Sequence, residues 1–514
     1  MKVCLINPIL DYQSLLSPDS QLGLEYIAAI LLNNEHEVEI IDAPIENKNH
    51  KDIFEIIIKN NYDAIGISAY YYNIHSAIRI ARFIKKNTQT FVFLGGYLPT
   101  LANNIMGKIF ETVDCMVIGE GERTSLELIN NLKNGKWKEV KGICYHKNND
   151  IYYTGPVELV NLDSLPFPYR RKEYIGQSVQ VTASRGCYGH CSFCGIMEFY
   201  ESSCGNYGEV RRRSPENLID EIENLVLNYN VKHINFVDDN FYLGSKNEKK
   251  WIEEFCSLIK KRKLHFTFNI SVRANEIIHS HQILGDLIEV GLIRVFIGVE
   301  SFLDSHLKFY NKKITGAMNL EAVRLLDQYD IKYEIGYMIF NPITTIEDII
   351  DTVKVFHDNK INYLHKHIWV PISGSVVNSI YGTAMHKFIE ENDCYESNEQ
   401  GYHFLNANTQ KCFNILKPLN DRIKYIYAKS EFYYQAKDQG RTDLMADYKD
   451  TFFELYYMYL DLLGSIANLI KLNEDSVDKV NDILKEAYIC FDKIDVHLNK
   501  IKENSYDTIC IYGL

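Results

Sequence analysis

The chain has 514 residues, 46% of them hydrophobic and 24% charged, enough to bury about three ordinary cores at ~150 residues per domain. Its net charge of −13 excludes a general nucleic-acid binder, which shows a basic face; its twelve cysteines, scattered except at one stretch, exclude a secreted disulfide framework and point to a reducing cytosol. The opening MKVCLINPIL enters a strand-like run without signal-peptide regions, and no stretch approaches the ~18–20 apolar residues of a membrane span, so a cytoplasmic protein with no membrane partner is expected.

Over residues 1–145, short β-branched runs alternate with helical patterns. Strands are predicted at Lys2–Ile6, Glu37–Ile41, Ala64–Ser68, Phe91–Leu94 and Cys115–Ile118. Apolar residues at helical spacing predict helices at Leu22–Leu32, Asp52–Asn60, Ile74–Lys86, Leu101–Phe110 and Arg123–Leu132. This alternation implies an α/β, doubly wound parallel sheet of the flavodoxin or Rossmann type, with ligands beyond the carboxyl ends of its strands. Those ends carry Asn7-Pro8, Ser68-Ala-Tyr70-Tyr71-Tyr72, Gly95-Gly96 and Gly119-Glu120-Gly-Glu122. Paired glycines either turn the chain or let backbone approach a flat ligand closely.

Residues 146–176 read as a connector, with Pro166 and Pro168 in Asn161–Pro168 favouring extended backbone. From 177 to 385 the strand–helix pattern repeats, with strands at Val179–Ala183, His233–Val237, His265–Ser271, Arg294–Val299, Tyr333–Ile339 and His365–Val370. Helices follow near Pro215, Asn247, His281, Met318, Thr345 and Ser375. Six such units predict a partial (β/α)6 barrel, whose chemistry belongs to loops at the carboxyl ends of its strands. The remaining residues, 386–514, carry long helical patterns and are expected to form an α-helical domain.

Directly after the first barrel strand comes Ser184-Arg-Gly-Cys187-Tyr-Gly-His-Cys191-Ser-Phe193-Cys194. Thiolates this close suit an iron–sulfur cluster or zinc. For zinc, His190 and Cys204 are available as a fourth ligand. For a [4Fe-4S] cube, three cysteines would leave one iron open. Other strand ends carry polar groups: Asp238-Asp239-Asn240, Arg273, Glu300-Ser301, and Met338 ahead of Phe340-Asn341-Pro342. Carboxylates accept from an ammonium, and a guanidinium can hold a carboxylate with two parallel bonds. One local basic patch, Arg211-Arg-Arg213, stands against the acidic total.

The cysteine spacing, with Phe193 before the last cysteine, resembles the signature of the radical SAM enzymes. Asn7-Pro8, Leu22-Gly23-Leu24, Gly95-Gly96 and Gly119-Glu-Gly-Glu122 together resemble the cobalamin-binding domain that precedes many of them. The resemblance covers residues 1 to about 385. It implies that Cys187, Cys191 and Cys194 ligate a [4Fe-4S] cluster whose open iron chelates S-adenosylmethionine. It further implies that Phe193, Asp238, Asp239, Arg273, Glu300, Ser301 and Met338 contact that S-adenosylmethionine. Asn7, Leu22, Gly23, Ser68, Tyr70, Tyr71, Gly95, Gly96, Gly119 and Glu120 would face cobalamin. The motif Asp-x-His-x-x-Gly is absent, which implies no protein histidine on cobalt. Two departures stand out: Pro18-Asp-Ser-Gln21 replaces a double proline, and Phe340-Asn341 replaces Gly-x-Pro.

The activity so implied is reductive cleavage of S-adenosylmethionine to a 5′-deoxyadenosyl radical, used by a cobalamin-dependent methyltransferase on an unactivated carbon of a small-molecule or peptide intermediate in biosynthesis. The alternative is cyclisation, dehydration or rearrangement without methyl transfer, with the first domain as scaffold. A non-catalytic cobalamin or iron–sulfur sensor is a third reading. A methylthiotransferase acting on transfer RNA needs three cysteines in the first domain; Cys4, Cys115 and Cys144 are widely spaced and do not clearly match, and no basic terminal RNA module is evident. The expected partners are the substrate and an electron donor such as flavodoxin or ferredoxin, with no nucleic acid.

Overall fold

A computed structural model describes residues 1–10, 21–102, 112–147, 150–173, 175–176, 178–205, 210–242, 244–361, 376–395, 401–420, 422 and 443–512. The chain divides into two compact units. The first comprises residues 1–272, 279–293 and 380–383, and the second 273–278, 294–379 and 384–514.

The first unit begins with β1 (Lys2–Asn7), α1 (Leu22–Leu32), β2 (Glu37–Asp42), α2 (His50–Asn60), β3 (Ala64–Ser68), α3 (Ile74–Asn87), β4 (Phe91–Gly95), α4 (Tyr97–Leu101), β5 (Cys115–Val117) and α5 (Gly121–Leu132). Alternation along β1 explains the layering. Cys4 and Ile6 enter one core with Ile53 and Ile57 of α2 and Ile80 and Ile84 of α3. Val3 and Leu5 enter the opposite core with Ala28 and Leu31 of α1 and Leu128 and Ile129 of α5. A strand apolar on both faces needs helices on both, which is the doubly wound arrangement. The sheet order β2-β1-β3-β4-β5 is parallel throughout and reverses direction at β1, where a crevice opens outside the carboxyl ends.

The sheet then continues past residue 145. β6 (Ile143–Lys147) pairs antiparallel with β5, and β7 (Asp150–Tyr153) pairs antiparallel with β6. These short strands reach into the stretch expected to be a connector; only three residues of β6 are buried, which left them without a clear period-2 signal. The chain between β7 and the barrel-type strands is fastened rather than loose. Buried Arg170 pairs with Glu25 and, at 3.3 Å, with Glu221, and donates to the Gln180 carbonyl at 2.6 Å. The helix predicted at Leu101–Phe110 is instead preceded by α4, and residues 103–110 lie outside the described ones.

The barrel-type strands of this unit are β8 (Ser178–Val181) and β11 (His233–Phe236), with β12 (Thr267–Arg273) beginning here; β11 pairs in parallel with both others. A two-residue ribbon, β9 (Ser184–Arg185) with β10 (Arg211–Arg212), flanks them. α6 (Gly195–Cys204), α7 (Pro215–Asn228) and α8 (Lys246–Arg262) follow their loops. The last two are capped by Ser214 and Ser245 side chains, which satisfy helix-end N–H groups.

In the second unit β13, Leu292–Glu300, pairs in parallel from Arg294 with β14 (Lys332–Tyr337). Helices Gly316–Gln328 and Ile346–Asp358 start at the Thr315 and Thr345 caps. Two long helices, Asp443–Lys471 and Val477–Tyr512, come after them; Gly464 lets the first approach Val353, since a Cβ there would lie 3.2 Å from its Cγ1. The predicted sixth strand, His365–Val370, and the Pro371–Ser375 close lie outside the described residues. Among the described residues no helix is long and apolar enough to cross a membrane.

Candidate cluster loop and cofactor cavity

The cysteine stretch leaves β9 through Gly186, whose φ of +95° suits glycine and turns the chain into Cys187. Gly189 N–H donates to Cys187 Sγ at 3.3 Å, and Cys194 N–H to the Cys191 carbonyl at 3.1 Å. Cys194 is the N-cap of α6. Burial pushes its thiol up to about 12, Cys191 and Cys187 push in the same direction, and the Ile196 N–H opposes them. The Ile196 N–H, at the start of α6, favours negative charge on the Cys194 sulfur, though burial outweighs it. That donor set suits an iron–sulfur cluster, whose irons draw off the thiol protons.

Zinc fits less well. Cys204 ends the ten-residue α6, ~15 Å along the axis from Cys194 at ~1.5 Å per residue, and donates to the Tyr200 carbonyl at 2.9 Å. A single zinc ion needs sulfurs within ~4 Å of one another, given Zn–S bonds of ~2.3 Å, whereas a cube takes each sulfur on its own iron. Among the described residues no group of three His, Cys, Asp or Glu side chains could hold one metal ion. No disulfide joins the three cysteines.

Asp238 and Asp239 follow β11 after Val237 and fix the base of this loop. Asp238 accepts from Ala183 N–H at 3.1 Å and from Ser184 Oγ at 2.5 Å. Burial pushes Asp238 up to about 6 against the pull of Arg212 and these hydrogen bonds. Asp239 accepts from Gly186 N–H at 2.9 Å, and burial raises its pKa as well. Phe193 is half-buried between the last two cysteines. The basic patch is spent internally: Arg211 forks onto Glu120, Arg212 meets Glu248 at 2.8 Å, and Arg213 meets Glu221 at 2.5 Å.

Beyond the carboxyl ends of β1, β3, β4 and β5 lies a cavity of about 360 Å³, within the usual range of cofactor pockets. Leu22, Gly23, Ser68, Tyr70, Gly95, Gly96, Gly119 and Glu120 all line it. Bare backbone faces it: a Cβ at Gly23 would meet nothing within 4 Å, and one at Gly95 only Val117 at 3.9 Å. Such a wall suits a flat ligand like a corrin.

Two predicted residues turn elsewhere. Asn7 Nδ2 donates to Asp42 Oδ1 at 2.8 Å, joining β1 to β2. The Tyr71 hydroxyl accepts from Tyr381 N–H at 3.1 Å. The sequence also missed Tyr97, Phe199, Tyr200 and Arg185, which line the cavity together with Glu122. Tyr97 stacks on Phe199 with ring centroids 5.1 Å apart. Glu120 is held below its usual range although burial opposes it, because Arg185 and Arg211 flank it.

In the second unit Glu300 ends β13 with φ +66°, an unfavourable left-handed conformation for a side-chain-bearing residue. Its Oε1 lies 2.8 Å from Lys312 Nζ, and its carbonyl accepts from Met338 N–H at 2.9 Å. Arg273 donates to the Lys312 carbonyl at 2.8 Å. Arg273 and Glu300 thus meet at Lys312, which no motif singled out, and Met338 joins them through the Glu300 carbonyl. Ser301 is fully buried; Leu303 N–H donates to its Oγ at 3.1 Å, and Asn319 to its carbonyl at 2.7 Å. Asn341, the departure from Gly-x-Pro, donates to the Tyr310 hydroxyl at 2.9 Å and accepts from Ile343 N–H at 3.0 Å.

The model of the radical SAM superfamily matches residues 181–364, and that of the B12 binding domain matches residues 17–129. An uncharacterized methyltransferase of Pyrococcus horikoshii is 30% identical over 365 residues, which are 69% of this chain and 76% of that protein. The anaerobic magnesium-protoporphyrin IX monomethyl ester cyclase of Rubrivivax gelatinosus is 27% identical over 63% of this chain and 59% of its own length. In fold, the chain is similar to the cobalamin-dependent S-adenosylmethionine radical enzyme OxsB, with a TM-score of 0.75 at 18% identity, covering 99% of this chain and 81% of that one.

Proposed function

We propose that this chain, which belongs to the radical SAM superfamily and carries a B12-binding domain ahead of its radical SAM domain, is a cobalamin-dependent methyltransferase acting on an unactivated carbon of a small-molecule or peptide substrate. Bound together, a [4Fe-4S] cluster, S-adenosylmethionine and cobalamin supply reductive radical generation and a transferable methyl group, chemistry no side chain can provide. Cys187, Cys191 and Cys194 would hold the cluster, while Asp238 and Asp239 keep the start of their loop in place. The glycine-walled cavity would receive the corrin, with Tyr97, Phe199 and Tyr200 excluding water from it. Arg273 would meet the carboxylate of S-adenosylmethionine, Glu300 its ribose hydroxyls, and the backbone at Met338 its adenine.

The observation that carries this reading is the shared wall of cavity and cysteine loop: Arg185, two residues ahead of Cys187, and Asp239, which accepts from the Gly186 N–H, both line the cavity. An electron donor of the flavodoxin or ferredoxin class and a cytoplasmic location complete the proposal. The test is anaerobic reconstitution, with iron, sulfide and cobalamin quantified, and then mass spectrometry after incubation with S-adenosylmethionine. 5′-Deoxyadenosine, S-adenosylhomocysteine and a methylated product are expected. The cyclase named for the Rubrivivax relative supports a second reading, radical cyclisation without methyl transfer. Deoxyadenosine without adenosylhomocysteine, or no uptake of cobalamin, would select it.

A further inference from the structure

Arg185 lies two residues before Cys187, in a ribbon that fixes its backbone against Arg211. Its guanidinium donates to Glu122 Oε1 at 2.6 Å, lies 3.3 Å from Glu120 Oε1, and covers the Tyr26 ring at 5.0 Å from its centroid. Both carboxylates stand on the turn from β5 into α5. That turn is rigid: Gly119 has φ +82°, its N–H donates to Thr100 Oγ1 at 2.9 Å, and it packs directly on Ser203. On the other side Asp239 grips Gly186 N–H. A body seated in the cavity therefore rests on Glu120, Glu122, Arg185 and Asp239, the same groups that orient the first turn of the cysteine loop.

We propose that Arg185 is a positioning residue that couples the two cofactor sites, so that filling the cavity with cobalamin alters the environment of the cluster held by the next cysteine. The proposal rests on the cofactor assignment made above. An arginine suits this role because its planar fork engages two carboxylates at once, which a lysine cannot do in the same way. By linkage, the cluster loop acts equally on cobalamin affinity.

The test uses the full-length chain with its cluster reconstituted, with and without hydroxocobalamin. Two readouts apart from turnover are taken: the electron paramagnetic resonance spectrum of the dithionite-reduced cluster, and the Kd for S-adenosylmethionine. In the wild type, cobalamin is expected to shift the g values and change that Kd about fivefold or more, the range of ordinary coupling between sites. R185M is expected to abolish the shift and reduce the change below about twofold, and R185K to leave a fraction of each. Because R185M leaves Glu122 buried without its partner, the charge-balanced R185M/E122Q serves as the second variant, with both cofactors bound and the coupling lost. An undiminished shift in R185M/E122Q would overturn the proposal. A wild type that binds both cofactors with no shift overturns the coupling alone; one that binds neither overturns the cofactor assignment and the coupling with it.

Discussion

Lys312 Nζ lies 2.8 Å from Glu300 Oε1, and the carbonyl of the same lysine accepts from Arg273 at 2.8 Å. One buried residue thus holds two groups expected to meet S-adenosylmethionine, one through its side chain and one through its backbone. In K312M the half-buried Glu300 carboxylate loses its cation. Breaking such a pair costs on the order of 3 kcal/mol. K312M is expected to lower the unfolding free energy by about that amount and to raise the Kd for S-adenosylmethionine at least tenfold. K312R should recover part of both. Urea unfolding and equilibrium dialysis check the two effects separately.

Gly298 tests the same pair without removing a charge. A Cβ there would come within 2.8 Å of Glu300 Oε1 and 3.0 Å of Lys312 Nζ. Both are the far ends of flexible side chains, so the fold can yield while the carboxylate moves. G298A is therefore expected to cost little stability, about 1 kcal/mol by the usual scale of overpacking, yet to weaken S-adenosylmethionine binding several-fold. A large loss of stability with unchanged affinity would show that Glu300 position is irrelevant to the ligand.

The parallel sheet was legible because β1 and β3 are apolar on both faces and the intervening helices keep their 3.6-residue period. The β6–β7 hairpin was not, since half-exposed strands of five and four residues carry little pattern. Gly23, Gly95, Gly96 and Gly119, expected to face cobalamin, line the cavity and bring bare backbone to its wall. Asn7 and Tyr71 already bond to Asp42 and to the Tyr381 N–H: a polar residue at a strand end can bond to its neighbours as readily as to a ligand, and sequence spacing does not distinguish the two. The salt-bridge network of Arg185, Glu120 and Arg211 joins residues 65 to 91 positions apart. No local signal carries such pairings, and the run Arg211–Arg213 looked like a surface patch until its three partners were found.

Asp238 gives the structure a pH dependence of predictable sign. Burial raises its pKa from 3.8 to about 6, outweighing Arg212 and the hydrogen bonds from Ser184 and Ala183. The folded state therefore binds this proton more tightly than the unfolded state does. The stabilisation is fully present below about pH 4 and is lost as pH rises through about 6, on the order of 3 kcal/mol in all. D238N, which cannot titrate, should lack this component. Urea midpoints of the cofactor-free chain between pH 4 and 7.5 should fall more steeply in the wild type than in D238N. Parallel curves would mean that Asp238 stays ionised throughout.

Gly119 joins the cavity wall to α6 through two separable constraints. Its φ of +82° disfavours any side chain, and a Cβ built there would lie 2.3 Å from Ser203 Cβ and 3.6 Å from Ser203 Cα. The first constraint is backbone strain of about 1–3 kcal/mol; the second is a steric clash that α6 can relieve only by moving away. Since Cys194 is the N-cap of α6, that movement would reach the last of the three cysteines proposed to hold the cluster. G119A should therefore lose at least ~2 kcal/mol of stability and lower both cobalamin uptake and iron content of the reconstituted protein. S203G removes the clashing atom but leaves the φ requirement intact, at a cost of about 1 kcal/mol for glycine inside a helix. In the double variant G119A/S203G, iron content should recover while stability stays below that of S203G alone. If iron content in G119A already equals that of the wild type, α6 does not transmit the clash to the cysteine loop.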